Sequence, residues 1–112
     1  MKEMNYPKKP LVLTSKNYTR TIKRYPLVVM VCLPPMDYTF GNPTPIIDIM
    51  AKKYEGKVVF GLLDTKVNKK IASHYDISNT PVFLIFKNQR LVGYLKNSTT
   101  RKELEERINL NL

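Results

Sequence analysis

Few side chains in this chain can do chemistry. It has one cysteine, Cys32, and one histidine, His74, in 112 residues. A thiolate is a nucleophile and a soft metal ligand, but an internal disulfide or a cysteine-based zinc site needs several sulfurs. Cys32 lies near the end of an apolar run, where burial raises a thiol's pKa and makes it inert. It reads first as a small core residue and second as an attachment point for glutathione or a partner. His74 has no second ligand beside it and reads as a surface or capping residue. Asp37 and Asp48 come from a loop and a helix with no third group, so they read as surface charge. The four glycines are scattered and make no phosphate-cradling loop. No cofactor and no metal are expected.

The charge balance is the other feature that could act on a partner. The chain carries +10, and residues 1–24 hold seven basic side chains against Glu3. Such a field attracts polyanions or an acidic protein. Thr14 or Ser15 can cap a helix over residues 16–24. On that helix Lys16, Arg20, Lys23 and Arg24 fall at i, i+4, i+7 and i+8, on one face. They form a weak candidate anion site and read first as a solvated face. Nucleic acid is the weaker expectation, because no recognition-module motif is visible and no interleaved aromatics support base stacking.

The elements that would position these groups follow from periodicity. Residues 1–9 read as a flexible start, and residues 10–112 as one domain. Leu11 to Leu13 is a short strand. Leu27 to Leu33 is a continuous apolar run rich in β-branched residues, as a strand buried on both faces requires. Residues 34–43 hold two prolines at the start, then Gly41, Asn42 and Pro43, and read as a stiff, irregular loop. Thr44 caps a second helix with Pro45 at its first position. Ile47, Met50, Ala51 and Tyr54 form its buried stripe, and Gly56 closes it in the left-handed region. Lys57 to Leu63 reads as another buried strand. A short helix over 67–75 turns Val67, Ile71 and Tyr75 inward. Val82 to Phe86 and Leu91 to Leu95 make an antiparallel hairpin. Thr100 and Glu103 form a capping box for a last helix that buries Leu104 and Ile108. The order β-α-β-α-β-α-β-β-α argues an α/β domain: a central mixed sheet with helices on both faces.

Several strings in that order resemble the thioredoxin family. Pro45-Ile46-Ile47-Asp48, then Lys53-Tyr54-Glu55-Gly56-Lys57-Val58, is similar to the family's second helix and the strand after it. Tyr75-Asp76-Ile77-Ser78-Asn79-Thr80-Pro81 is similar to the loop carrying its cis-proline. Phe86-Lys87-Asn88 is similar to its hairpin turn. The spacing between the strings fits without a gap, and the likeness covers residues 10–112. It implies a thioredoxin fold with a cis bond between Thr80 and Pro81.

The resemblance also locates what is missing. Counting back from Pro45, the family's two cysteines, separated by two residues, fall on Asp37-Tyr38-Thr39-Phe40. Dithiol exchange needs one thiolate to attack and a second to resolve the mixed disulfide, and neither position holds a thiol. The family's buried acid falls on Val31, the tryptophan before its first cysteine on Met36, the lysine near the acid on Leu62, and a groove glycine on Asn97. The expectation is therefore a redox-inactive, non-enzymatic domain acting as a protein-binding or scaffold module. Its surface would be the loop that replaces the thiols (Met36, Asp37, Tyr38, Thr39, Phe40) together with the backbone edge at Thr80 and Pro81. The alternatives are a thiol oxidoreductase working through Cys32 and a basic nucleic-acid-binding module. No apolar run approaches the roughly 20 residues that span a bilayer, and no signal-peptide core follows the N-terminal lysines. A cytoplasmic protein with no membrane partner is expected.

Overall fold

The seven-residue apolar run is a strand buried along its whole length: Leu27–Leu33, here β2, shows at most 9% exposure at any residue. In this computed structural model, which describes residues 5–34 and 44–112, β2 is the middle of a five-stranded sheet. Before it come β1 (Leu11–Leu13) and α1 (Tyr18–Arg24). After it come α2 (Thr44–Lys53), β3 (Val59–Asp64), α3 (Lys69–His74), β4 (Val82–Lys87), β5 (Arg90–Leu95) and α4 (Arg101–Leu110). The strand order is β1-β3-β2-β4-β5. β3 runs parallel to both β1 and β2, while β4 is antiparallel to β2 and to β5. The expected element order and mixed sheet are thus observed.

Side-chain alternation along β2 divides the core into two layers. Val29 and Val31 face a cluster with Ile47, Met50 and Tyr54 of the α2 side and Leu104 and Ile108 of α4. Val28, Met30 and Cys32 face the other way, toward Ile22 and Tyr25 at α1 and Ile71 of α3. The stripe Ile47, Met50, Ala51, Tyr54 is buried as its periodicity demands, and Gly56 sits at φ +81°. The β4–β5 turn places Asn88 and Gln89 at φ 48° and 72°, the pair of left-handed residues that fits the twist of a two-residue hairpin. Its Asn88 N–H donates to Pro26 O at 2.8 Å, fixing the hairpin to the start of β2. The capping box is complete: Glu103 N–H donates to Thr100 Oγ1 at 3.1 Å, and Thr100 N–H to Glu103 Oε1 at 3.3 Å.

Three local expectations are corrected. α1 begins at Tyr18, so Lys16 lies in the turn before it and is not part of a four-residue helical face. Neither Thr14 nor Ser15 caps that helix. Asn17 is the boundary residue, and its Oδ1 accepts from Thr14 N–H at 2.7 Å while its amide donates to Val12 O at 3.0 Å. That side chain ties the turn to the edge strand a few residues back, a use of an amide that helical periodicity does not reveal. α3 is shorter than expected, and Val67, outside it, is 77% exposed instead of buried. Asp64 explains this: its Oδ1 accepts from the Lys66 and Val67 N–H groups, holding the chain in a turn that faces Val67 outward. At the other end of the chain, Tyr6 stacks on Tyr25 with ring centroids 5.2 Å apart.

α2 and α4 are joined by a polar network around Glu105. The carboxylate pairs with Lys53 and with Arg101 at 2.9 Å, and accepts from Tyr54 Oη at 2.9 Å. These contacts, Lys53 first, pull its pKa down to about 2. A folded-state pKa below the unfolded value of about 4.3 stabilises the fold fully above that value, and the contribution is lost as the pH falls toward 2. Solvent screening keeps it modest. Glu105→Gln is expected to cost about 1 kcal/mol at pH 7, and the gap to wild type should close between about pH 4.5 and 2. Guanidinium melts at three pH values in that span test it; parallel curves for the two proteins would refute the assignment.

Candidate partner-binding site

The chain leaves α3 through a left-handed Asp76 (φ 54°) and reaches β4 through Ser78, Asn79, Thr80 and Pro81. The Thr80–Pro81 peptide bond is cis. From Val82 onward the backbone is committed to the sheet, with Val82 opposite Cys32 and Phe83 opposite Leu95. Before that point the backbone groups of Ser78, Asn79 and Thr80 make no hydrogen bond to another described residue. A largely exposed stretch whose N–H and C=O groups no described residue takes up is a template for another extended chain.

Two hollows flank this stretch. On one side is an apolar cleft of about 150 Å³, walled by Ile46, Ile47 and Met50 of α2, by Pro81 and Phe83, and by Leu104 of α4. On the other is a more polar hollow of about 360 Å³ that includes Asp76, Ser78, Asn79, Tyr94 and Lys96. Asn97 lines both. An extended peptide projects alternate side chains in opposite directions, so one apolar and one polar hollow either side of a free backbone stretch suits it. Tyr94 steadies the polar side, its hydroxyl donating to Asp76 O at 3.0 Å.

Among the described residues that line the apolar cleft, Arg101 at the start of α4 is the one charged side chain. Val31 and Leu62 are direct partners in the β2–β3 ladder, both on the α2/α4 side. Cys32 points to the opposite side of the sheet, among Met30, Leu63, Ile71 and Val82. It is fully buried, and that burial pushes its thiol up to about 12. Its sulfur therefore cannot meet a chain lying against Pro81 without β2 being opened.

The structure brings Thr80 and Pro81 to this site. Met36, Asp37, Tyr38, Thr39 and Phe40, expected beside them, lie outside the described residues. Lys16, Arg20, Lys23 and Arg24 are all exposed, but they belong to the α1 side of the sheet, away from the cleft. Asp48 and His74 are exposed, and the His74 ring meets the Tyr75 ring edge-on at 4.6 Å. Among the described residues no three His, Cys, Asp or Glu side chains come together as metal ligands, and no helix is long and apolar enough to cross a membrane. Ile46, Asn79 and Phe83 were not foreseen as site residues. Ile46 did leave a signal: with Ile49 it falls off the buried stripe of its helix, and both are about half exposed (43% and 53%).

The thioredoxin family model matches residues 9–110 of the chain. The thioredoxin of Buchnera aphidicola subsp. Baizongia pistaciae is 34% identical over 68 residues, which cover 61% of this chain and 62% of that protein. The chloroplastic M-type thioredoxin of Zea mays is 32% identical over 89 residues, covering 69% and 53%. The matches span less than two-thirds of the first of these curated relatives. Among solved structures, a mutant thioredoxin from Halobacterium salinarum superposes with a TM-score of 0.83 at 15% identity, over 96% of this chain and 95% of that one; at that identity the likeness speaks for the fold alone. The expectation of a non-enzymatic domain, drawn from the absent thiol pair, is corrected by these relatives. They are named thioredoxins, which are disulfide oxidoreductases, so the family they define is an enzymatic one.

Proposed function

The chain belongs to the thioredoxin family, and from that premise we propose that it recognises an extended segment of a partner protein along Ser78–Pro81, between the apolar and polar hollows. The carrying observation is the meeting of three things: backbone groups at Asn79 and Thr80 that no described residue satisfies, an apolar cleft under Ile46 and Phe83, and Asn97 lining both hollows. Backbone pairing supplies affinity for any extended chain, and the hollows choose its side chains. The family acts on disulfides of partner chains. The described residues of this protein support the recognition half of that activity. With one cysteine in the chain, buried on the far side of the sheet, any exchange at this site takes both sulfurs from elsewhere.

A cysteine-free peptide of alternating apolar and polar residues, titrated into labelled protein, separates recognition from thiol chemistry. The amide signals of Ser78, Asn79, Thr80 and Asn97 are expected to shift, with the distal hairpin residue Asn88 unmoved. Ile46→Asp, which replaces an apolar wall of the cleft with a charge, should weaken binding at least about tenfold. Ile46 is exposed, so the fold should tolerate the change. Shifts spread evenly over the surface, or binding indifferent to Ile46→Asp, would sink the reading.

A further inference from the structure

We propose that the layer formed by α1 and α3 is a second docking surface, for an acidic face of another protein, with Val67 as its apolar anchor. The two helices cover the same side of the sheet: Ile22 and Tyr25 at one and Ile71 of the other share a core cluster, flanked by Tyr18 and Tyr75. The neighbouring Tyr18 hydroxyl, together with burial, which is the larger cause, pushes the Tyr75 phenol above its ordinary pKa. Ser15 N–H donates to Asn68 Oδ1 at 3.2 Å, pinning the turn that carries Lys16 to the start of α3. Two basic groups far apart in sequence thereby become one surface. Lys16, Arg20, Lys23 and Arg24 contribute one part of it, Lys66, Lys69 and Lys70 the other, and all are exposed. None of them takes part in an ion pair among the described residues, whose two ion pairs both lie between α2 and α4 or within α4.

Charge is segregated by layer. Residues 5–25 and 65–75 contain no Asp or Glu at all. Of the two acids that bracket residues 65–75, Asp64 spends its carboxylate on its own backbone turn, and exposed Asp76 lies at the polar hollow beside Tyr94. The α2/α4 layer mixes signs instead, with Glu103, Glu105 and Glu106 interleaved among Arg101, Lys102 and Arg107. A strongly basic exposed layer without ion pairs among the described residues favours an anionic surface and speeds its encounter.

Val67 decides between anionic partners. It is 77% exposed, between Lys66 and Lys69. An apolar centre within a charged rim is the anatomy of a protein interface. Phosphate contacts, which are ionic, gain nothing from an aliphatic side chain. Single strands need exposed rings for stacking, whereas Tyr6, Tyr18 and Tyr75 pack against the core. Helices of seven and six residues offer little to place in a duplex groove. The surface lies across the sheet from the Pro81 cleft, so it stands independently of the reading given for that cleft.

The test is fluorescence anisotropy on the full chain, with a labelled peptide of interleaved Glu and Leu as one probe and a short DNA duplex as the other. The acidic peptide is expected to bind more tightly than the duplex, and to weaken as salt rises. Reversing Lys66, Lys69 and Lys70 to Glu should weaken peptide binding by about tenfold or more. The equal charge change made at Lys52, Lys102 and Arg107 should have much less effect. Val67→Ser should weaken the peptide and leave the duplex unchanged. Equal loss from the two triple reversals would reduce the effect to net charge and overturn the proposal. So would tighter binding of the duplex with Val67→Ser silent, or no peptide binding at low salt.

Discussion

Phe60→Ala is expected to remove about 3–5 kcal/mol of stability, a large part of the 5–15 kcal/mol typical of a domain this size. Phe60 sits in β3 with 1% of its surface exposed, opposite Val29 of β2. Its ring lies 6.4 Å from that of Tyr54, tilted by 44°. Tyr54 in turn donates its hydroxyl toward Glu105 and Asn109 of α4, so it joins α2 to α4 above the sheet. Truncating Phe60 loses the transfer energy of the ring and opens a void under that junction. Neighbours can fill the void only by loosening Tyr54 from its polar partners, so the site collapses poorly. Phe60→Leu keeps most of the volume and should cost less than about 1.5 kcal/mol. Guanidinium unfolding of the three proteins, at constant m-value, gives the comparison. A loss under about 1.5 kcal/mol for the alanine variant would show that β3 does not support the α2–α4 junction.

Native-state alkylation of Cys32 is expected to run at least about a thousandfold slower than alkylation of the unfolded chain. Burial sets two barriers, one on each route to reaction. The thiol is raised to about 12 by burial, so the reactive thiolate is depleted about a thousandfold at neutral pH relative to an ordinary cysteine. The sulfur is also closed from solvent in the middle strand of the sheet, so the reagent waits for an opening that costs a good part of the global stability. Iodoacetamide labelling followed by intact mass, with and without denaturant, reads the ratio. Because the folded pKa is raised, direct reaction of the closed state should add to the native rate only at strongly alkaline pH. A native rate within about tenfold of the unfolded one would mean that Cys32 is reachable, and would make it the working thiol of this chain.

The two arguments share a geometric fact that no window of sequence contains. Strand alternation says that Val31 and Cys32 face opposite sides of β2. It does not say which side will carry the Pro81 cleft. That depends on α2 and α4 covering one face and α1 and α3 the other, a consequence of how the crossovers wind around a sheet of order β1-β3-β2-β4-β5.

What the sequence determined by itself is the local grammar, since each signal acts within one turn or one strand. Seven consecutive apolar residues, rich in β-branched types and bounded by Pro26 and Pro34, fit a strand with both faces buried. Thr100 and Glu103 satisfy each other's backbone groups three residues apart. Asn88 tolerates the left-handed conformation its turn requires, and Gly56 ends a helix the same way. The net positive charge was also plain, and so was the shortage of thiols. The tertiary structure alone decided where those features meet. Asp64 takes two backbone N–H groups and so turns Val67 out of the core, against its helical phase. Asn68 reaches 53 residues back to Ser15 and merges two basic groups into one face. Ile46, Phe83 and Asn97 become neighbours only when α2 and the end of β5 close on Pro81. Local signals fix torsions and the burial of single elements. Sites are made by contacts between elements, and those are settled by how the two layers share one sheet.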